Sequence, residues 1–387
     1  MNSLASFRKV RGSWEYRIRY KDRQSGKWKE TSKSGFTTKK EAQLAASEAN
    51  LDLEYYGFQE DGKETMFVYM DKWFELYKRP YMKQTTIDLQ ERNIKNNILP
   101  RWGNYKLREI TRSEYTEWLL ELSKKYATGS IRRIHSIMSA ALNDAVHEFR
   151  ILRETPLSRV KIPKTNSDTK IKFYSVDEMN ALIEASKMKV KHAKYQQSNM
   201  YYAMNHLLGH TGLRIGECLA LTWADIDLEN AKLSVDKTVT YPDKSNKPVV
   251  TSTKTTSSER VIELDRTTVT VLKTYSINQK ELYLRYPGIV KPEDKLLFHT
   301  SEGLHYRANV VREQFKVFCK RANVPVLSPH ALRHSHAVHL LEAGANIKYV
   351  SSRLGHKSIK VTADTYLHIT KKIERNALDL YEKHINL

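Results

Sequence analysis

The chain opens on a period of two. Trp14-Glu-Tyr-Arg-Ile-Arg-Tyr20 sets large apolar residues against charged ones in strict alternation, the pattern of a strand with one buried face. Asp22 to Gly26 supplies a turn, Trp28 to Thr31 begins a second short strand, and Gly35-Phe36-Thr37 adds a third. From Thr38, a capping residue, the pattern predicts a helix through an alanine-rich stretch to about Tyr55. The polar, glycine-containing run Glu60-Asp-Gly-Lys-Glu64 marks a first linker.

Beyond it the period lengthens to that of a helix. Phe67, Met70, Trp73, Phe74 and Tyr77 recur at i, i+3 and i+4. Thr111 with Glu114 forms a capping box that opens the run Tyr115, Trp118, Leu119 and Leu122. A third helix, from about Ser130 to Phe149, turns Ile131, Ile134, Ile137, Met138, Ala141, Leu142 and Ala145 inward and leaves Arg132 and Arg133 on the other side. Residues 158–170 mix Pro, Ser and charge as a second linker, and Ser175 with Glu178 caps the next helix. In the remainder, Leu233–Val239, Val249–Thr253 and Val261–Leu264 are strand-like, separated by turn chemistry at Pro242-Asp243 and at Lys254-Thr-Thr-Ser-Ser258. The expected fold class is multidomain. A small α+β domain of three strands and a helix (1–60) precedes an all-α domain (66–160) and a mixed, mainly α domain with a small antiparallel sheet (173–387).

Charge narrows the class of partner. Lys and Arg number 65 against 44 Asp and Glu, a net charge of +21. So large an excess repels itself unless a polyanion offsets it, which points to nucleic acid. Hydrophobic residues make up 40% of the chain, too many for a disordered one. No run reaches the ~18 apolar residues of a spanning helix, the first residues turn polar before a signal-peptide core forms, and two cysteines are too few for a disulfide framework. A soluble, reduced, cytoplasmic protein is expected, with no membrane partner. Residues 8–40 alone carry an excess of nine positive charges. There Arg17, Arg19, Lys21, Lys27 and Lys29 alternate with Trp and Tyr on the predicted sheet, and strands can enter a DNA groove. Arg132 and Arg133 suit a helical clamp on a duplex.

Candidate chemistry clusters late. In Thr211-Gly-Leu-Arg-Ile-Gly-Glu217, Arg214 and Glu217 stand at i, i+3 on one helix face, just after a turn whose free N–H groups suit an anion. Lys254 sits at the base of a polar turn. Ser328 caps a helix with Pro329 at its first position, and His330 and Arg333 again share a face at i, i+3. Asn346 caps a short helix ending at Leu354-Gly355, which places His356 just beyond, and a helix from Ser358 reaches Tyr366. Each alone reads as surface decoration or core. His330, His334, His336 and His339 crowd one stretch, but no HExxH occurs and no Cys lies nearby, so neither metal nor cofactor is expected.

TGLRIGE, the Lys254 turn, HALRHSHA, LGH and Tyr366, in that order and spacing, resemble the tyrosine recombinase (phage integrase) family over the whole chain. Ala331 stands where that family often has Asp, and Lys357 where it often has Ser; neither position carries the chemistry. The resemblance implies an arm-type DNA-binding domain at 1–60, a core-binding domain at 66–160 and a catalytic domain at 173–387. It implies a bivalent integrase that integrates or excises a mobile element through a 3′-phosphotyrosine and a Holliday junction, as a homotetramer on paired core-type and arm-type sites. An excisionase and a host DNA-bending protein would be its partners, in the nucleoid of a bacterial host.

The chemistry of the residues agrees. Breaking a phosphodiester without a metal requires a nucleophile, fixed cations on the non-bridging oxygens and a proton donor for the leaving oxygen. Arg214 and Arg333 suit the cationic task, Tyr366 the attack, and Lys254 the leaving oxygen. His330 would assist proton transfer from Tyr366 and hold the phosphate, Glu217 would orient His330 or Arg214, and His356 would donate to a phosphoryl oxygen. A type IB topoisomerase and a non-catalytic architectural DNA binder are the rival readings. In the tail, Ile373, Ala377, Leu380 and Tyr381 form an apolar helical stripe that packs either on its own domain or on a neighbouring protomer.

Overall fold

The computed structural model describes residues 4–21, 27–56, 64–165, 171–187, 198–242, 247–252 and 259–366, with 382 and 385. The turn 22–26, the break 60–63, Lys254 with its turn and the whole tail stripe lie outside the described residues. Contacts divide the chain into two units, Met1–Asp168 and Thr169–Leu387.

The first unit begins with strands β1 (Leu4–Val10), β2 (Ser13–Lys21) and β3 (Trp28–Phe36), antiparallel in that order, and helix α1 (Lys39–Tyr56). The alternation at 14–20 acts as expected: Tyr16, Ile18 and Tyr20 are buried, and Ala42 and Ala46 of α1 are buried with them. Arg17, Arg19 and Lys21 alternate with these buried residues along β2. Two expectations are corrected. The strand Leu4–Val10 goes beyond the sequence pattern: Ala5 and Phe7 pack on the small core, without the large-residue alternation of 14–20. The segments at 28–31 and 35–37 are one strand, continuous in spite of Gly35 because a register shift at Trp14/Glu15 lets Phe36 pair with Trp14.

The same unit continues in helices α2 (Met66–Tyr77), α3 (Gln84–Asn93), α4 (Leu99–Trp102), α5 (Arg112–Ser123) and α6 (Thr128–His147). Their core is aromatic: Tyr69, Trp73, Trp102, Tyr115 and Trp118 are buried together with the Ile131–Ala145 stripe of α6. Two of its buried polar side chains are hydrogen-bonded, while the Trp102 indole N–H has no partner among the described residues. The Trp73 indole N–H donates to Asp144 Oδ2 (2.7 Å) and the Tyr69 hydroxyl to Ala141 O (2.6 Å). Thr111 caps α5 as its sequence indicates, accepting from the Glu114 N–H.

The second unit holds α7 (Val176–Ala185), α8 (Ser198–Thr211), α9 (Ile215–Ala220), strands β4 (Ile226–Asp227), β5 (Lys232–Val235), β6 (Lys237–Thr240), β7 (Val249–Ser252) and β8 (Arg260–Glu263), then α10 (Arg266–Arg285), α11 (Ala308–Arg321), α12 (His330–Glu342), α13 (Ile347–Leu354) and α14 (Ile359–Tyr366). The single strand expected at 233–239 is two. It breaks at Asp236, so that β5 pairs with β4 and β8 while β6 pairs with β7 in a separate sheet. The Ser175–Glu178 capping box and the Asn346 cap form as expected. The Ser328 cap does not: α12 starts at His330 with Pro329 at the cap position and no side-chain cap bond, while the Ser328 carbonyl accepts from the Ala331 N–H. No described helix is long and apolar enough to cross a membrane.

Trp73 is fully buried and hydrogen-bonded. Trp73→Ala should therefore destabilise by about 3–5 kcal/mol, read as a lower urea midpoint in equilibrium unfolding. A loss under 1 kcal/mol would contradict this packing.

Candidate active site

Three stretches far apart in sequence meet at one place in the second unit. Arg214 ends the turn before α9 in extended conformation, so its side chain points back over the helix start while its N–H donates to Glu217 Oε2 (2.9 Å). The Arg214 Nη1 donates to Glu217 Oε1 (2.7 Å), and Nη2 reaches the Gly355 carbonyl (3.1 Å). From β8, Arg260 donates its Nη2 to Glu217 Oε2 (2.9 Å) and its Nε to the Arg353 carbonyl (2.8 Å). The Glu217 and Arg260 side chains are 3% and 6% exposed, a buried ion pair. Burial alone would push the Glu217 carboxyl up, but the hydrogen bond and charge of Arg260, with Arg214 behind, hold it below its ordinary pKa.

Arg333 on α12 is the other fixed cation. It is 2% exposed, and its two terminal nitrogens donate to the carbonyls of Gly212 and Leu354, both at 2.7 Å. Burial first, and the like charge of Arg214 second, lower its pKa to about 9, which leaves it charged at neutral pH. Gly212 has φ +68°, and a Cβ there would stand 2.7 Å from Leu354 Cδ2 and 2.9 Å from His336 Cδ2. Only glycine lets the turn close over that carbonyl contact. Gly355, the left-handed cap of α13 at φ +67°, performs the same service beside Arg260 and starts the turn to His356.

Tyr366 ends the described part of α14 and is 1% exposed. Burial raises its pKa to about 12, against the pull of Arg333 and Arg214. Its hydroxyl lies 2.8 Å from His334 Nδ1, and its ring is nearly parallel to that of His356, centroids 6.5 Å apart. His356 Nδ1 pairs with Thr362 Oγ1 at 2.8 Å, and burial, then Arg333, lowers its pKa to about 4. His330 stands exposed at the start of α12, edge-on to His334 at 4.6 Å. Its pKa too is lowered, by desolvation of the packed side of its ring, then by Arg333 and Arg214.

The structure thus brings Arg214, Glu217, His330, Arg333, His356 and Tyr366 together, and Lys254 lies outside the described residues. Glu217 engages Arg214 and Arg260 rather than His330. Sequence reasoning missed Arg260, Arg353 and His334. A lone Arg at the mouth of a short strand, six residues after Lys254, is the signal for Arg260; the sequence presents His334 only as a possible metal ligand. The histidines of α12 have protein partners: His336 Nε2 accepts from Arg353 Nε (3.0 Å), and His339 Nε2 lies 3.0 Å from the Tyr174 carbonyl. Among the described residues, the group with donor atoms within 4.8 Å of one another is His206, His210 and Asp265. There Asp265 caps α10 through Thr268 and pairs with His210. Of the basic residues singled out for DNA, Arg19, Lys21, Lys27, Lys29, Arg132 and Arg133 are exposed, and Arg17 is half-buried between Glu15 and Glu30. Arg19 lies over the Trp28 ring at 5.5 Å.

The chain is similar to known proteins along nearly its whole length. A model of the phage integrase family matches residues 172–372, one of an arm DNA-binding domain matches 6–53, and one of the integrase N-terminal SAM-like domain matches 65–123. The chain is 27% identical to the integrase of Staphylococcus phage L54a, covering 82% of this chain and 93% of that one. It is 30% identical to a XerC-like tyrosine recombinase of Caldanaerobacter subterraneus subsp. tengcongensis, over 88% of this chain and 89% of the relative. In fold it is similar to the Tn1549 transposon integrase solved with a circular intermediate DNA, at TM-score 0.68 and 21% identity over 82% of this chain and 99% of that one. A lambda integrase dimer bound to a core site aligns at TM-score 0.55 and 17% identity, over 93% of each chain. With its family model spanning more than half of its length and a relative 30% identical along nearly all of it, the chain belongs to the phage integrase family and is a site-specific tyrosine recombinase.

Proposed function

We propose that this chain cleaves and rejoins double-stranded DNA by attack of Tyr366 on a scissile phosphate, leaving a 3′-phosphotyrosine that stores the bond energy for religation. The observation that carries the reading is the placement of the Tyr366 hydroxyl beside fixed cations: Arg333 and Arg214 both act on it, and neither guanidinium is free to turn away. Arg214 and Arg333 would grip the non-bridging oxygens, which gain charge in the transition state. His330, exposed at the rim, and His356 would donate to the same phosphate, and Glu217 would hold Arg214 in place. Lys254 would protonate the departing 5′-oxygen.

The division into 1–60, 66–160 and 173–387 assigns arm-site binding, core-site binding and catalysis to successive domains. In the first, Arg17, Arg19, Lys21, Lys27 and Lys29 would face arm-type DNA; in the second, Arg132 and Arg133 would face core-type DNA. Tethering two DNA-binding modules raises the effective concentration at the second site. Assembly as a homotetramer through a Holliday junction, with an excisionase and a host DNA-bending protein, and a place on the bacterial nucleoid complete the proposal. The tail stripe around Leu380 would join neighbouring protomers.

Three outcomes are expected on a nicked duplex carrying the joined ends of the element that encodes the chain. Tyr366→Phe should bind it nearly as well as the parent and form no covalent adduct in a denaturing gel; a persistent adduct would remove Tyr366 from the role of nucleophile. Lys254→Ala should slow cleavage by about 100-fold or more, the usual worth of a general acid, yet cleave a 5′-bridging phosphorothiolate at close to the parent rate. A thiolate leaves without a proton, so equal losses on both substrates would make Lys254 a phosphate binder instead. Removing residues 1–60 should abolish salt-sensitive arm-site binding and spare cleavage of the nicked core duplex; arm-site affinity unchanged by the truncation would sink that assignment.

A further inference from the structure

The proton of Tyr366 has to go somewhere, and the fold presents an acceptor distinct from the histidine that the sequence pattern favours. The Tyr366 hydroxyl is 2.8 Å from His334 Nδ1, with the two rings roughly edge-to-face at 5.7 Å. His334 lies one turn into α12, four residues after His330 and beside Arg333 in sequence, half-buried where His330 is exposed. The two histidines therefore stand at different depths, His330 toward the open side and His334 against the nucleophile.

We infer that His334 is a further catalytic residue, the general base that takes the Tyr366 proton during cleavage and returns it during religation. The inference rests on the proposed role of Tyr366. As the Tyr366 oxygen bonds to phosphorus and the bond from phosphorus to the 5′-oxygen breaks, the phenolic proton passes to His334 Nδ1. The 5′-oxygen takes its own proton from Lys254. Religation reverses both transfers: the 5′-hydroxyl attacks, its proton returns to Lys254, and the His334 imidazolium reprotonates the leaving phenolate.

The surroundings keep the His334 imidazole neutral, so that Nδ1 is unprotonated before the reaction and the geometry of the hydrogen bond is what marks it as the acceptor. Burial, then the neighbouring His330 and Arg333, lowers the His334 pKa to about 4, so the ring is neutral from mildly acidic pH upward. The charged and titratable groups that act on it are His330 and Arg333 from its own helix, Tyr366 from α14, and His356 from the segment between α13 and α14. As the ring takes up the proton, the transferring phosphate brings negative charge to the same cluster of cations. Arg333 and Arg214 pull the phenol's pKa down against the larger effect of burial, so donor and acceptor lie far apart until the phosphate's negative charge arrives to favour the imidazolium.

A buried phenol also needs a hydrogen-bond partner for stability alone, so the test must separate acceptance of a proton from acceptance of a hydrogen bond. His334→Asn places a carbonyl oxygen near the Nδ1 position and cannot be protonated. On the nicked duplex it should bind within threefold of the parent and form adduct about 100-fold more slowly at pH 7, the usual range for general base catalysis. Replacing Tyr366 by trifluorotyrosine, whose phenol ionises far more readily, should shrink that defect to less than tenfold. Adduct formation by the parent should vary little between pH 6 and 8. A His334→Asn rate within threefold of the parent, or a defect of equal size on both phenols, would overturn the assignment. So would a parent rate that climbs tenfold per pH unit, a measurement that needs no variant. A parent that forms no adduct, or a Tyr366→Phe chain that still does, would instead remove the nucleophile itself.

Discussion

The cluster of charges around Tyr366 hangs on one buried carboxylate. Glu217 holds Arg214 from its own helix and Arg260 from the strand β8, and both guanidiniums also reach carbonyls at the end of α13, Gly355 and Arg353. Removing such a partner leaves an uncompensated buried charge, which typically costs ~3–5 kcal/mol, more than exposed ion pairs contribute. The pair thus fixes where α9, β8 and the turn to His356 stand relative to one another. Under the proposed mechanism a guanidinium that grips phosphate must not follow its substrate as charge develops, and Arg214 is held by two groups, Glu217 and the Gly355 carbonyl.

Arg333 follows the same rule with different chemistry. Among the described residues its hydrogen bonds go to the carbonyls of Gly212 and Leu354, and Glu217 acts on it through space without a direct ion pair. Its charge remains available to an incoming anion, at the expense of a depressed pKa. The two cations are therefore not equivalent: Arg214 is braced by an anion, and Arg333 is braced by backbone. Tyr366 and its neighbouring histidines lie in the field of both.

Much of this was legible in sequence wherever pattern is local. The alternation at 14–20, the caps at Thr111, Ser175 and Asn346, and the stripe of α6 each depend on residues within a few positions, and each forms. What sequence concealed depends on partners far along the chain. Leu4–Val10 is a strand because β2 offers it a paired edge, not because its own residues demand it. The apolar run at 233–239 gives no hint that Asp236 divides it between two sheets. Arg260 reads as a solvent-facing charge until Glu217, 43 residues earlier, supplies its counterpart. In the same way His334 reads as one of four histidines until α14 brings a hydroxyl to it.

The bonds that build the cluster join residues 43, 93, 121 and 141 positions apart in the chain. Contacts of such long range carry the entropy cost of closing large loops and cannot exist until both of the segments they join have been made. A chain still emerging from the ribosome, or one caught half-folded, therefore has no placed guanidinium and no aligned tyrosine. The capacity to cut appears only with the completed fold, and the cell that makes the protein is spared a nuclease during its synthesis.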